Sequence, residues 1–235
     1  MDIRKQGIVI RTTDVGETDR LVTLLTPDEG LLTLRAKGCR SAKSKLRYAT
    51  QPMCFGHFLL APSKVGYILT GCDSVDSFAS IGADLTKFYV ASVVLDAAAH
   101  LAREGQGDAT LFVTVLQALK EVAYHQNPLH VGVVFLLQAL SVSGHGLRFV
   151  CHCGEVGHWV DLASCGFCCD AHRPPLAMPV SDELLSYLAS PDDPADPATM
   201  HEAYVILARC MWHTVGVKLM SVQELCKQWD VLAAE

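Results

Sequence analysis

The 235-residue sequence lacks the short motifs that mark the common classes of enzyme. It contains no GxxxxGK[ST] phosphate-binding loop, no GxGxxG dinucleotide fingerprint, no HExxH zinc-protease motif and no GxSxG nucleophile elbow. The acidic residues are scattered, and none pairs with another as a general acid and base. Six histidines stand singly in apolar or helical contexts: His57, His100, His125, His130, His201 and His213. We therefore predict a protein without catalytic turnover.

Long hydrophobic runs are also missing, although half of the residues are hydrophobic. The richest runs, residues 91–99 and 131–140, are too short to cross a bilayer and contain Asp96 and Gln138. Residues 1–5 (MDIRK) have no apolar core of a signal peptide, so we expect no secretory signal, no membrane association and a cytoplasmic location. Ten cysteines in such a chain favour free thiols or a bound metal over disulfides.

Charge is unevenly distributed along the chain, whose net charge is −6. Residues 1–50 contain ten Lys or Arg residues against six Asp or Glu residues, and acids outnumber cations in the remainder. A basic part in an otherwise acidic chain indicates contact with a polyanion, and the alternative is an uneven solvated surface.

Residues 1–80 have the pattern of short β-strands separated by turns. The predicted strands are residues 7–12, 20–26, 31–38, 54–61 and 65–71. Five strands at this spacing predict a small closed barrel of the OB type, formed as an antiparallel meander, with an SH3-like barrel as the alternative. From residue 81 the apolar residues recur at helical spacing, which predicts a helical domain over 81–235. Its predicted helices are residues 85–100, 111–125, 130–141, 184–189 and 199–215, with Asp84, Ser181 and Thr199 at N-terminal positions. The fold class is thus α+β.

A basic segment, residues 37–48, connects the third and fourth predicted strands. It has five Lys or Arg residues, no acid and one aromatic residue, Tyr48. Flexible basic segments at the rim of a barrel follow phosphate backbones, and an exposed aromatic ring can stack on a base. The alternative is a solubilising loop. The candidate DNA-binding residues, taken from this segment and the adjoining strands, are Arg20, Arg35, Lys37, Arg40, Lys43, Lys45 and Arg47.

Half of the cysteines lie in residues 149–173, together with three histidines. Closely spaced thiolate and imidazole ligands separated by a loop predict a zinc-finger-like insertion that holds one structural Zn²⁺. The candidate ligands, at most four at once, are Cys151, Cys153, Cys165, Cys168, Cys169 and His172. Spacing alone favours Cys165 and Cys168 as the second pair. Two alternatives are a finger that has lost its metal and redox chemistry at Cys165 and Cys168.

The order of these parts resembles the bacterial recombination-mediator family RecO. The similar stretches are residues 7–12 (GIVIRT), 16–26 (GETDRLVTLLT), 36–40 (AKGCR), 44–46 (SKL), 51–52 (QP) and 215–221 (VGVKLMS). Family members that bind zinc usually show CxxCG followed by GGxxCxxC. Alignment with that pattern implies that Cys169 and His172, rather than Cys165 and Cys168, complete the site.

The resemblance implies a DNA repair and recombination mediator that binds single- and double-stranded DNA and anneals complementary strands. It further implies that the protein works with RecR to load RecA onto DNA coated by the single-strand-binding protein SSB. The SSB C-terminal tail is expected to bind an apolar groove with a cation at its rim, for which Lys218, Leu219 and Met220 are candidates. Such a protein is cytoplasmic and associated with the nucleoid. A different class of function, an OB-fold module that binds RNA or assists translation, stays open.

Overall fold

Within residues 3–64 and 66–233, which the computed structural model describes, the first part of the chain forms a closed barrel of five strands. The strands are β1 (Ile3–Val15), β2 (Asp19–Thr26), β3 (Gly30–Ala36), β4 (Phe55–Ser63) and β5 (Gly66–Asp76), with a helical turn α1 (Leu46–Ala49) between β3 and β4. Val65, the first residue of the fifth predicted strand, lies outside the described residues, as do residues 1–2 and 234–235.

The strand order is β1-β2-β3-β5-β4, and β4 pairs with β1 to close the barrel. This order confirms the predicted OB barrel. The predicted antiparallel meander is wrong at two pairings. The β3 strand pairs with β5 rather than β4, and in parallel, with Leu34 opposite Tyr67 and Arg35 opposite Ile68; the β1 strand pairs with β4 rather than β5. Local strand patterns carry no information about these pairings, which depend on how the barrel closes.

Residues 7–10 of β1 are buried on both faces of the strand. Val9 points into the barrel with Phe58 and Leu60, whereas Ile8 and Ile10 belong to the core that the barrel shares with the helices. A strand buried on both faces needs consecutive apolar residues rather than alternation, which accounts for the GIVI run.

The turn between β2 and β3 docks against the helical domain. Gly30 has φ of 68°, and a Cβ atom there would lie 2.0 Å from the carbonyl oxygen of Arg103. The neighbouring Leu31 amide donates to that same oxygen at 3.1 Å. Only glycine permits both this backbone conformation and this approach. The opposite end of β2 and β3, which carries Asp19 and Lys37, therefore faces away from this junction.

The second part of the chain is helical, as predicted. Its helices are α2 (Ala79–Gly82), α3 (Leu85–Leu101), α4 (Ala109–Tyr124), α5 (Pro128–Val142), α6 (Asp182–Ala189), α7 (Pro197–Val215), α8 (Met220–Lys227) and α9 (Trp229–Leu232). Asp84 and Ser181 accept hydrogen bonds from the first turns of α3 and α6, as their positions predict. The predicted cap Thr199 is wrong: Asp196 caps α7 by accepting from the amides of residues 198 and 199.

Between α5 and α6 the chain leaves the helical pattern and forms a small antiparallel sheet that the sequence did not predict. Its strands, in the order β7-β6-β8, are β6 (Trp159–Asp161), β7 (Gly166–Cys168) and β8 (Met178–Pro179), with a 3₁₀ turn at Asp170–His172. Val160 and Phe167 anchor this sheet to the main helical core.

The helical core is closely packed around Tyr204 of α7. This side chain is fully buried, and its hydroxyl donates to the carbonyl oxygen of Leu129 at 2.9 Å. Gly132 of α5 makes room for the ring, since a Cβ atom there would lie 1.8 Å from the Tyr204 oxygen and 2.9 Å from Val90.

Candidate nucleic-acid interface and metal centre

The basic segment, residues 37–48, forms a series of hydrogen-bonded turns that leads into α1. Its backbone bonds to itself through the amides of Ser41 and Ser44, which donate to Gly38 and Ser41. The amide of Arg40 donates to the carbonyl of Thr18 at 3.0 Å, which fastens the segment to the β1–β2 turn. The positions of its cations are therefore set by backbone hydrogen bonds.

Three of the seven candidate cations form ion pairs with aspartates of the same barrel end. The Asp14 carboxylate contacts Arg20 Nε at 2.9 Å and Arg40 Nε at 3.3 Å. The Asp19 carboxylate contacts Arg35 at 2.8 Å. The positive charges of these three arginines are consequently balanced by carboxylates of the barrel itself.

Asp19 also holds the backbone of the basic segment. Its carboxylate accepts from the Gly38 amide at 2.9 Å and from the Thr18 hydroxyl at 3.1 Å. The Gly38 amide, and after it the Arg35 side chain, lowers the pKa of Asp19 because both favour the charged carboxylate. This residue thus joins β2 to the start of the segment.

The other four candidate cations, Lys37, Lys43, Lys45 and Arg47, are exposed. Among residues 3–64 and 66–233, none of the ion pairs involves them. Tyr48 follows directly and is 78% exposed, so its ring is available for stacking. Uncompensated cations beside an exposed ring are suited to a single nucleic-acid strand.

A groove on the outer face of β2, β3 and β5 includes Lys37, one of these four cations, in its lining. Its floor contains Leu21, Tyr67 and Ile68, and its rim carries Arg35, Lys37 and Lys64; Thr33, Leu34 and Ser63 complete the lining. Leu21 is 40% exposed although it lies in the middle of a sheet. Apolar surface flanked by cations can take up bases while the cations contact the phosphates.

Lys64, Tyr67 and Leu21 were missed by sequence reasoning. Lys64 lies far from the basic segment in sequence and reaches it only because β3 pairs with β5. A usable signal was present at Leu21, since it is an apolar residue next to buried Val22 and therefore points to the solvent side of β2.

Four of the six candidate metal ligands converge in the insertion. The ligand atoms of Cys151, Cys153, Cys169 and His172 all lie within 4.8 Å of one another. Individual separations are 3.7 Å between Cys153 Sγ and Cys169 Sγ, 3.7 Å between Cys151 Sγ and His172 Nδ1, and 3.2 Å between Cys169 Sγ and His172 Nδ1. Tetrahedral zinc, with bonds of about 2.3 Å to sulfur and about 2.0 Å to nitrogen, separates its ligands by roughly 3.5–3.8 Å. The donor set and the spacing fit this ion.

Each ligand pair is formed by a tight turn. The Gly154 amide donates to the Cys151 carbonyl at 2.8 Å, and Gly154 has φ of 91°. The His172 amide donates to the Cys169 carbonyl at 3.1 Å. The two turns supply the knuckle geometry that a zinc finger requires, with Cys151-x-Cys153 as the shorter half.

The thiols of this cluster differ in acidity. The amides of Cys153 and Cys169 lower the pKa of Cys151 to about 6, because they donate to its thiolate. Burial, reinforced by the neighbouring thiol of Cys153, raises the pKa of Cys169 to about 11. A bound divalent cation would supply the positive charge that stabilises additional thiolates.

The two remaining candidates have other partners. Cys165 is fully buried, interacts with the thiol of Cys210 and lies 4.0 Å from the Thr214 hydroxyl of α7. Cys168 donates to the carbonyl of Trp159 at 3.5 Å. The structure therefore gathers Cys169 and His172, not Cys165 and Cys168, around Cys151 and Cys153.

A second groove lies between α7 and α8, where the sequence indicated residues 218–220. Trp212 is 54% exposed and Lys218 Nζ lies 6.0 Å from its ring centre. The lining residues are Val205, Ala208, Arg209, Trp212, Lys218, Leu219, Val222, Gln223 and Cys226. Met220 is exposed but is not among them. The groove is mostly apolar and has two cations at its border.

In the part of the chain that the structure describes, no helix has the length and apolar character needed to cross a membrane.

Taken together, these features define an OB-barrel protein with an attached helical domain and a Cys₃His cluster suited to zinc. Two family models match the chain in succession: "Recombination protein O N terminal" over residues 1–78 and "Recombination protein O C terminal" over residues 82–223. The chain belongs to the recombination protein O (RecO) family.

Individual relatives agree with the family models. A protein named DNA repair protein RecO from Frankia casuarinae is 31% identical over 193 residues, which cover 79% of each chain. Its namesake from Acetivibrio thermocellus is 30% identical over 174 residues, covering 71% of this chain and 69% of the relative. Another from Nocardioides sp. is 29% identical over 241 residues, covering 94% and 98% of the two chains. The predicted family is confirmed.

Proposed function

We propose that this protein is a recombination mediator that binds single-stranded DNA on its barrel and anneals complementary strands. The observation that carries the proposal is the groove of β2, β3 and β5, which joins apolar floor residues to Lys37 and Lys64, two cations that form no ion pair among the described residues. In this proposal the DNA path runs from Lys64 to Lys37, the first residue of the basic segment. Binding of this kind is independent of sequence and weakens with salt, because phosphates supply most of the contacts.

Annealing requires that the repulsion between two phosphate backbones is reduced while the base edges stay free to pair. Exposed lysines on a folded segment meet the first requirement, because they neutralise phosphates without hydrogen bonding to the bases. The same cations can contact double-stranded DNA, the product of annealing. In this proposal the protein acts without catalytic turnover and, with RecR, helps to load RecA onto SSB-coated strands.

We further propose that one structural Zn²⁺ is held by Cys151, Cys153, Cys169 and His172. The ion would join the two turns of the insertion, which have few apolar contacts of their own: the local cluster consists of Cys151, Cys168 and Cys169 with Trp159 and Ala177 against it. Zinc would thus have a structural role and take part in no reaction.

The groove between α7 and α8 is the proposed site for the SSB C-terminal tail. That tail is acidic and apolar, and the groove offers exposed Trp212 between Arg209 and Lys218. A tail peptide is expected to change the fluorescence of wild-type protein and to bind at least tenfold more weakly to Lys218→Glu, since a rim cation becomes an anion. Lys227→Glu, at the C-terminal end of α8 and not among the residues that line the groove, is the control. Equal binding to both variants would place the tail elsewhere.

The proposed domains are residues 1–80 for DNA binding and 81–235 for the helical part, with 149–173 as the insertion. The proposed place of work is the cytoplasm, at the nucleoid.

The decisive experiment is annealing of two complementary oligonucleotides coated with SSB. Wild-type protein is compared with Lys37/Arg40/Lys43/Lys45→Ala and with Arg103/Lys120/Lys227→Ala, a control that removes exposed cations from the helical domain. Acceleration by wild type and by the control, but not by the barrel variant, would support the proposal.

Other outcomes lead to different conclusions. Acceleration by all three proteins would keep the function and move the DNA path away from the basic segment. Failure of folded wild type to accelerate annealing, combined with tighter binding to RNA than to DNA, would favour the OB-fold RNA-binding alternative.

A further inference from the structure

Asp14 occupies an unusual position at the DNA-binding end of the barrel. It lies opposite Arg20 in the β1–β2 ladder, and its two carboxylate oxygens contact different arginines. Oδ1 lies 2.9 Å from Arg20 Nε, and Oδ2 lies 3.3 Å from Arg40 Nε. One half-exposed carboxylate therefore compensates two of the candidate DNA-binding cations.

The neighbouring Asp19 differs from Asp14 in what it holds. Its side chain is only 15% exposed and bonds to the backbone of Gly38 as well as to Arg35. The Asp14 side chain is 49% exposed, and its partners among the described residues are the two arginines. The Asp19 side chain thus stabilises the backbone of the basic segment, whereas the Asp14 side chain contacts only the two guanidinium groups among the described residues.

Arg40 does not depend on Asp14 for its position. Its backbone amide donates to Thr18, and its guanidinium also donates to the carbonyl of Gly16 at 3.0 Å. The side chain therefore stays over the β1–β2 turn when the carboxylate is neutralised. Asp14 therefore balances the charge of Arg40 but does not determine the position of its side chain.

We propose that Asp14 is an affinity-determining residue that competes with DNA phosphates for Arg20 and Arg40. A phosphate that approaches either guanidinium must displace the carboxylate or remain beside a like charge. The inference rests on the proposed binding of single-stranded DNA by the barrel. Asp14 thus reduces the contribution of Arg20 and Arg40 to DNA affinity. The weaker binding makes it easier for the protein to release DNA after annealing.

The central test measures binding of a fluorescent oligo(dT) by anisotropy over a range of salt concentrations. Asp14→Asn is expected to bind more tightly and with a steeper salt dependence than wild type. One additional phosphate contact steepens the logarithmic slope by about 0.7, which corresponds to about fivefold tighter binding at about 0.1 M salt. The matched control is Glu17→Gln. Glu17 is an exposed acid in the β1–β2 turn, close to Asp14, and it forms no ion pair among the described residues.

A triple variant locates the effect. If the gain passes through the freed arginines, Asp14→Asn combined with Arg20→Gln and Arg40→Gln should return to the slope of wild type or below it. A comparison that leaves Asp14 in place gives an independent test. Arg40→Gln should reduce the slope by less than half as much as Lys43→Gln, because Lys43 forms no ion pair within the described part of the chain. This comparison remains decisive even if Asp14→Asn is poorly folded by circular dichroism.

Several results would overturn the inference. Weaker binding by folded Asp14→Asn would mean that the carboxylate positions the arginines for DNA. Equal gains in DNA affinity for Asp14→Asn and Glu17→Gln would show that the effect comes from net charge alone. Equal decreases in salt slope for Arg40→Gln and Lys43→Gln would show that Asp14 does not compete with DNA phosphates. If wild type binds no DNA at any salt concentration, the proposed function itself fails, and the inference fails with it.

Discussion

Removing three of the four uncompensated cations of the basic segment should weaken DNA binding by an amount that follows from the number removed. Lys43, Lys45 and Arg47 are exposed and have no ion pair among the described residues, so each is free to contact one phosphate. Each contact with single-stranded DNA contributes about 0.7 to the slope of log affinity against log salt. The triple substitution to Gln should therefore reduce the slope by about 2 and the affinity at about 0.1 M salt by about a hundredfold.

The assay is a salt titration of fluorescent oligo(dT) binding, because the slope separates charge effects from loss of folded protein. The control, Arg103/Lys120/Lys227→Gln, removes the same number of exposed cations from the helical domain. It should leave the slope within experimental error of wild type. A decrease in slope of under 0.5 for the basic-segment variant, or an equal decrease in the control, would refute the assignment of phosphate contacts to this segment.

Three further predictions concern the metal site and the helical core. Cys169→Ser should lower the zinc content of purified protein from about one ion per chain to near zero by mass spectrometry, whereas Cys226→Ser should not; equal zinc in both would contradict the ligand set. Gly132→Ala should lower the free energy of unfolding, measured by urea titration, by about 2–4 kcal/mol. The new methyl group displaces the Tyr204 hydroxyl from its buried hydrogen bond to the Leu129 carbonyl. A decrease of under about 1 kcal/mol would contradict that packing. Burial, and after it the nearby His125, lowers the pKa of His130 in the folded protein. Near pH 6.5, the usual pKa of histidine, this side chain therefore binds a proton more readily in the unfolded chain than in the folded one. Stability should therefore decrease as pH falls from about 7.5 to about 5.5, less steeply in His130→Gln; an unchanged pH dependence would contradict the burial of this group.

Local sequence signals were sufficient for most of the secondary structure. Asp84 and Ser181 were identified as helix starts because a side-chain acceptor ahead of an apolar periodic stretch satisfies free amides of the first turn. The same reasoning failed at α7, where Thr199 was chosen over Asp196. Pro197 is compatible with the first position of a helix, so the true cap lies one residue before it.

The candidate site was less accessible to such reasoning. The spacing of cysteines and histidines located the metal cluster, but it also allowed Cys165 and Cys168 as ligands. In the folded protein Cys165 contacts Cys210, and Cys168 donates to the carbonyl of Trp159. Spacing limits which residues can reach one ion, whereas the direction of each side chain depends on the β7 strand and the turn that follows it. That strand belongs to a sheet with no clear sequence signal.

The amino-acid sequence by itself determined the class of fold, the order of its parts and the residue types available for binding, because strand and helix periodicity, caps and clustered ligands are local properties. Only the tertiary structure decided which cations are free. At one end of the barrel, Asp14 neutralises Arg20 and Arg40, and Asp19 neutralises Arg35. The parallel pairing of β3 and β5 brings Lys64 and Tyr67 beside Lys37. Electrostatic compensation depends on distances of a few ångströms between residues far apart in sequence, and those distances are set when the barrel closes.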